Sequence, residues 1–237
     1  MKKSLIFKIL YIQTVILISL ALVFIALKET VPDLIPLIQQ GDPDAIQAYL
    51  RGTGTFKSIL CTALLQMVQV WSLVISGMPI QVAAGCVFGF FMAFVICHLS
   101  SVAAHCIAIV VWRRTGRKLE KWLPIDLEGN GRLNEFLNSK APPSYIIILA
   151  CMIPVIPNGV IPLLASKMDI SVRRFTLSVW FGSILNIIFC CAIGNRIMHG
   201  NWLVSILFIL ILVAISACMW IFRTSILALY YKYFGRD

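Results

Sequence analysis

The sequence predicts an all-α integral membrane protein, an inverted repeat with about four transmembrane helices and two opposed re-entrant hairpins. Hydrophobic residues make up 60% of its 237 residues and charged residues 13%, whereas soluble domains have about 45–50% and about 25%. This composition excludes disordered, collagen-like, coiled-coil and disulfide-scaffold proteins. In addition, two apolar segments, 58–89 and 144–166, are interrupted by Gly and Pro in matching places of the two halves, a pattern typical of inverted repeats.

The net charge of +10 comes from 20 Lys and Arg against 10 Asp and Glu. In a soluble protein such an excess suggests nucleic-acid binding, but cytoplasmic loops of membrane proteins are also rich in Lys and Arg. We therefore predict no nucleic-acid partner. The eight cysteines all lie in apolar stretches, and we interpret them as small apolar residues, not as disulfides or metal ligands. No metal and no cofactor is predicted.

Apolar runs of about 20 residues predict four spanning helices. They cover residues 5–27, 90–112, 175–195 and 202–222. Lys2, Lys3 and Lys8 lie before or near the start of the first run, as in a signal peptide, but no small-residue cleavage site comes before Lys28, so we expect this span to be retained. Residues 1–57 thus form a first span and a polar outer loop with a short amphipathic helix, and 58–222 form the membrane domain.

Two broken segments predict the hairpins. Proline removes a backbone donor and glycine permits a tight turn. Broken backbone at membrane depth persists only where it is buried in protein or faces water. The structural residues of the hairpins are Gly77, Pro79, Gly85, Gly89, Pro154, Pro157 and Pro162. The four-residue spacing of Gly85 and Gly89 predicts close packing against a neighbouring helix.

The distribution of basic residues supports this topology. With a cytoplasmic N-terminus and hairpins that enter from opposite faces, the loop 113–141 and the tail 223–237 are cytoplasmic. Only four basic residues then lie outside, namely Lys28, Arg51, Lys57 and Arg196. If 58–76 crossed fully, the basic loop 113–141 would lie outside, against the positive-inside rule.

Two ordered sets of motifs add a family resemblance. The first set is Gly77-Met78-Pro79, then Gly85-x-x-Phe88-Gly89, a helix rich in small residues, and Arg113-x-x-Gly116-Arg117; the second is Pro154-x-x-Pro157 followed by Ser166-Lys167-Met168. Together they resemble the DedA superfamily, in its SNARE-associated or VTT-domain branch. The resemblance covers roughly residues 60–200.

The chain departs from the family pattern at three places. Cys151 stands where the family usually has an arginine, and Pro157 stands where many members have another. Members linked to proton-driven activity carry acidic residues near the first hairpin, but no Asp or Glu lies between Lys57 and Trp112. The resemblance therefore implies the fold and not a proton-coupled mechanism.

The resemblance implies a membrane transport protein that handles lipids. Relatives move phospholipids or polyprenyl-phosphate carriers between leaflets, so we expect membrane lipids as partners and a translocase or scramblase in the cell membrane. Two alternatives stay open, a small-solute or ion transporter and a non-transporting organiser that binds partners through 113–141. Homo-oligomerisation also stays open. No catalytic residues are predicted, because the apolar runs lack Asp, Glu and the usual hydrolase motifs.

Polar residues inside the apolar segments are the first candidate site residues. Gln66 and Gln69 either line a headgroup path or hydrogen-bond a neighbouring helix. His98 and His105 are seven residues apart on one helix face, where they either shuttle protons, pair with a phosphate or simply pack.

Residues near the second hairpin are the remaining candidates. Backbone groups freed at Asn158 and Gly159 either bind an anionic headgroup or form a structural turn. Basic residues next to the membrane either receive a phosphate at the cytoplasmic mouth or serve as ordinary loop charges and anchors. These basic residues are Lys167, Arg173, Arg174, Arg113 and Arg117.

Overall fold

The computed structural model describes residues 55–72, 76–119, 141–152 and 156–222, with Thr14 and Ala21. These residues form seven α-helices and no strand. The helices are α1 Thr55–Ser72, α2 Met78–Phe88, α3 Phe90–Leu119, α4 Pro143–Met152, α5 Val160–Ala165, α6 Val172–Met198 and α7 Trp202–Ile221. Several predictions lie outside the described residues: the span 5–27, the outer amphipathic helix, most of the loop 113–141, Pro154, the tail 223–237 and the side chain of Arg117.

Two of the described helices are long and apolar enough to cross a membrane, by length and composition. They are Phe90–Arg114 within α3 and Val172–Met198, which is α6. The continuous apolar runs predicted at 90–112 and 175–195 are confirmed as helices. The last predicted run forms α7, whose described apolar stretch, Trp202–Ile215, is shorter.

The remaining helices are shorter, because helices end or begin near the proline and glycine residues that predicted the breaks. At 1.5 Å per residue, the 11 residues of α2 and the 10 of α4 measure about 16 and 15 Å, half of a 30 Å hydrocarbon core. Pro79 lies in the first turn of α2, where its missing N–H leaves no intrahelical bond unmade. Gly89 separates α2 from α3 with φ of 73°, a conformation that favours glycine.

Helix α6 lies at the centre of the packing. It contacts α2, α3, α4 and α7, while α3 contacts α1, α2, α5 and α6. Glycines let backbones approach closely, as predicted for Gly85: a Cβ built there would overlap the carbonyl oxygen of Cys191 and lie 3.0 Å from its carbonyl carbon. A Cβ at Gly182 would lie 2.8 Å from the carbonyl oxygen of Ile148 on α4. Small residues thus fix the positions of α2 and α4 against α6.

Large apolar side chains cover the outer surface of the described helices. Phe91 is 74% exposed, Phe181 63% and Leu203 84%. Extended exposed apolar surface is a mark of membrane or protein contact. Together with the two long apolar helices, this surface is that of a membrane protein.

Candidate functional site

The two breaks in the helices meet each other. Gly77 lies in the break before α2, and Asn158 lies in the break before α5. A Cβ built on Gly77 would lie 2.8 Å from Nδ2 of Asn158. The same nitrogen donates a hydrogen bond of 3.3 Å to Oε1 of Gln69 on α1. One polar contact therefore joins the first broken segment to the second.

Two glutamine side chains complete the contact around Gly77. The Nε2 atoms of Gln81 and Gln69 lie 3.1 and 3.2 Å from the same Cβ position. A side chain at position 77 would have to displace these amides, which are the ends of flexible side chains. Gln66 is fully buried three residues before Gln69, so it lies on the same face of α1.

His105 joins this group from α3. Its Nδ1 lies 2.8 Å from the carbonyl oxygen of Ser101, so that nitrogen carries the proton and donates. The backbone of Asn158 lies close enough to act on the ring, although Nε2 has no partner with hydrogen-bond geometry. We call Gln66, Gln69, Gly77, Gln81, His105 and Asn158 the tip cluster.

The tip cluster contains buried polar atoms that the described part of the protein does not pair. They are Nε2 and Oε1 of Gln66, Oε1 of Gln81 and Nε2 of His105. More than about 90% of buried polar groups in folded proteins are paired, and each unpaired one costs roughly 1–3 kcal/mol. These atoms need hydrogen-bond partners that the described residues do not supply, and a bound ligand or water would supply them.

The tip cluster also has a defined depth. His105 lies near the midpoint of Phe90–Leu119 and is only 1% exposed. No charged side chain is buried anywhere in the described residues. The tip cluster is thus an uncharged polar site halfway along a helix that is long enough to cross a bilayer.

His98 has different neighbours from His105. It lies about 10 Å from His105 toward the N-terminus of α3. There Ser183 Oγ is 3.4 Å from its Nδ1. Its ring stacks on Phe94 at a centroid distance of 5.3 Å and meets the edge of Trp180 at 4.6 Å. The structure therefore places His98 in the α3–α6 interface and outside the tip cluster.

Backbone groups at the second break are partly in use. The carbonyl of Pro157 accepts from Val160 N at 3.0 Å, and that of Asn158 accepts from Ile161 N at 3.3 Å. Both carbonyls thus take part in the first turn of α5. That backbone groups of Asn158 and Gly159 also bind a headgroup stays a prediction. Gly159 is buried in an ordinary helical conformation. The group that the second break contributes to the polar contact with Gln69 is the Asn158 side chain.

Basic side chains gather at one end of α3. Arg113 donates from Nη2 to the carbonyl oxygen of Ile170, which places it beside the loop that follows α5. We call the exposed residues at this end the basic rim. They are Arg113, Arg114, Lys167, Arg173 and Arg174. His105 lies eight residues before Arg113, about 12 Å along the helix.

The contact between Arg113 and Ile170 gives a testable prediction. Replacing Arg113 with glutamine is expected to loosen the loop 166–171 by about 1 kcal/mol, because a charge-assisted, partly buried hydrogen bond is lost. Trypsin should then cleave after Lys167 about fivefold faster. The matched control is Arg114→Gln, one residue along the same helix. Equal acceleration in both variants would show that charge, and not the bond, holds the loop.

Sequence reasoning did not single out Gln81. It is the one strongly polar side chain between Ile80 and Phe91, in the leg that faces back toward Gln66 and Gln69, and this was the available signal. Trp112 was also overlooked. It lies seven residues beyond His105 on the same face of α3, and its buried Nε1 has no partner in the part of the chain that the structure describes.

Comparison with known proteins identifies one similarity. A family model described as the VTT domain matches residues 74–196. This match begins just before the first break and ends just after Gly194. It includes Gly77, Gln81, His105 and Asn158. No curated protein and no solved structure matches the chain.

Proposed function

Because the chain belongs to the VTT-domain family, which is the DedA/SNARE-associated family, we propose that it moves an anionic lipid or a polyprenyl-phosphate carrier between leaflets. The family consists of transporter-like membrane proteins. The proposal assigns this chain a lipid substrate and a translocase or scramblase activity. It includes the membrane lipids as partners.

One observation carries the proposal: Gly77 and Asn158 meet beside His105, at the middle of α3. The helices α2, α4 and α5 are each too short to cross a bilayer. We propose that the two broken segments are re-entrant hairpins of an inverted repeat, which enter from opposite faces and end at the tip cluster. Such an arrangement would divide the hydrocarbon barrier into two halves.

The residues of this arrangement would act in sequence. The basic rim would attract a phosphate through charge at the membrane surface, where each Lys or Arg contributes about 1 kcal/mol. The tip cluster would then replace part of the water around the headgroup at mid-depth. This replacement matters because a charge at the bilayer centre costs about 2.5–3.5 kcal/mol on insertion scales.

The proposed orientation follows the charges. The basic rim faces the cytoplasm, as do both termini, in a multi-pass protein of the cell membrane. Arg113 and its neighbours then serve both as positive-inside anchors and as the cytoplasmic entrance. If the protein were inserted in the membrane with the opposite orientation, the basic rim would lie outside, against the positive-inside rule.

Reconstitution into vesicles tests the proposal. We expect chain-labelled phosphatidylglycerol or a labelled polyprenyl phosphate to become accessible to an external quencher faster than in protein-free vesicles. Asn158→Leu, which removes the contact between the two segments, should slow exchange about tenfold or more, an effect of 1.4 kcal/mol or more. His199→Gln, in the exposed end of α6, is the matched control. Variants are compared only when their elution volumes match.

A second function is favoured by the absence of charge in the tip cluster. An uncharged polar site also suits a small neutral solute. Solute flux in the same vesicles without lipid exchange would assign the site to that solute. If no anionic lipid exchanges above the protein-free level, the lipid proposal is wrong.

A further inference from the structure

We infer that, among anionic lipids, the tip cluster selects those whose phosphate carries a neutral polyol, such as glycerol or a sugar, over those whose headgroup also carries an ammonium group. This inference rests on the proposed function and names the substrate class of the same site. The ligand chemistry is a set of neighbouring hydroxyl groups without charge.

The unpaired atoms of the tip cluster define this chemistry. Gln66 offers one donor, Nε2, and one acceptor, Oε1, and both are buried without a partner among the described residues. Gln81 adds the acceptor Oε1, and His105 adds Nε2. Each hydroxyl group both donates and accepts, so a polyol satisfies a mixed set of this kind with few groups.

These atoms lie at the contact between Gly77 and Asn158 or within one helical turn of it. Gln81 points an amide at Gly77, as Gln69 does from α1. Gln66 lies one turn before Gln69, and His105 lies beside Asn158. Four elements of the fold therefore direct polar atoms to the same place. Gln66, Gln81 and His105 are each no more than 1% exposed.

The absence of acidic residues sets the selectivity. No Asp or Glu lies between Lys57 and Trp112 or between Ala141 and Met168. The nearest described carboxylate, Asp169, is exposed on the loop beside the basic rim. The described residues of the tip cluster offer no carboxylate to a headgroup ammonium. Such an ammonium would be desolvated there with only the charges of its own lipid as partners, and each additional ionic group taken to mid-depth adds an unfavourable desolvation cost. Hydroxyl groups meet no such penalty.

The experiment compares two lipids of equal net charge. Phosphatidylglycerol and phosphatidylserine, each with the same labelled acyl chain, are placed in vesicles with the purified full-length protein. We expect phosphatidylglycerol to exchange about tenfold faster or more, because phosphatidylserine carries two further ionic groups, an ammonium and a carboxylate, that must be desolvated. Equal rates, or faster phosphatidylserine, would overturn the inference while leaving the proposed function intact.

Two variants connect the selectivity to the tip cluster. Gln66→Met and Gln81→Met keep the side-chain length and remove the polar atoms. Both should slow phosphatidylglycerol and bring the ratio of the two rates close to one. Leu203→Met, on the exposed face of α7, is the control and should keep the wild-type ratio. A wild-type ratio in both glutamine variants would place the selectivity elsewhere and overturn the inference.

A separate arm distinguishes the two sources of hydroxyl groups. Free glycerol is applied to the same vesicles, and its entry is followed by light scattering. Lipid exchange with glycerol entry no faster than in protein-free vesicles supports a lipid headgroup as the ligand. Glycerol entry without lipid exchange would assign the tip cluster to a free polyol, which overturns both the lipid substrate and the proposed function.

Discussion

Replacing Gly194 with alanine is expected to destabilise the protein by roughly 3 kcal/mol or more, the upper end of overpacking effects. A Cβ at this position would overlap the carbonyl oxygen of Val82 and lie 2.8 Å from its carbonyl carbon and 3.0 Å from Cys86 N. These neighbours are backbone atoms of α2, which have no rotamer by which to withdraw. Helix α2 must therefore move away from α6. Thermal unfolding in detergent measures the effect.

The matched control is Gly200→Ala. Gly200 has φ of +70° and no atom within 4 Å of its Cβ position, so alanine there meets only backbone strain of about 1–2 kcal/mol. We expect the Gly194 variant to lose more stability than the Gly200 variant. Equal losses would mean that α2 and α6 do not pack as closely as the structure describes.

Transport should fall with the Gly194 variant as well. Helix α2 carries Gln81 and begins directly after Gly77, so its displacement moves both away from Asn158. The folded fraction of Gly194→Ala should therefore exchange lipid more slowly than folded Gly200→Ala. The close contact between Gly194 and the backbone of α2 therefore both stabilises the helix packing and positions Gly77 and Gln81 in the polar site.

The sequence predicted the helix types because hydropathy and chain breaks are local properties. Continuous apolar runs gave α3 and α6, and Pro79 and Pro157 marked real helix ends. Gly85 was expected to allow close packing because it lacks a side chain. Its partner on α6, Cys191, was not predictable, since the partner depends on the register between two helices that are far apart in sequence.

The sequence predicted most residues of the tip cluster but not how they are arranged in space. Gln66, Gln69, His105 and Asn158 were conspicuous as polar residues in apolar segments. Equal spacing on one helix face grouped His98 with His105, but a helix face does not specify which neighbour covers each turn. Here α6 covers His98, whereas the second break lies beside His105. The contact between Gly77 and Asn158 is tertiary, and no local pattern carries it.

Gln66→Met is expected to stabilise the protein and to slow transport. Gln66 is fully buried, and no described residue pairs either of its side-chain polar atoms, so its amide gives up hydration without compensation from them. Methionine has nearly the same length and keeps the helix. Removing the unpaired amide should raise the free energy of unfolding by about 1–2 kcal/mol.

A paired residue provides the contrast. Ser205 is also buried, but its hydroxyl donates to the carbonyl oxygens of Ile193 and Asn201, each at 3.3 Å. Ser205→Ala should therefore destabilise the protein by about 1 kcal/mol. The two substitutions both remove one buried polar group, and opposite signs in thermal unfolding are expected because only one of the groups has a partner.

The combination of higher stability with slower lipid exchange is what separates a binding role from a structural one. A glutamine retained only for helix packing would lower both properties when replaced. A glutamine that binds a headgroup destabilises the protein while no headgroup is bound, as is common where function requires a destabilised site. If Gln66→Met lowers stability, Gln66 is held by partners of its own, and the tip cluster loses the residue with the most unpaired atoms.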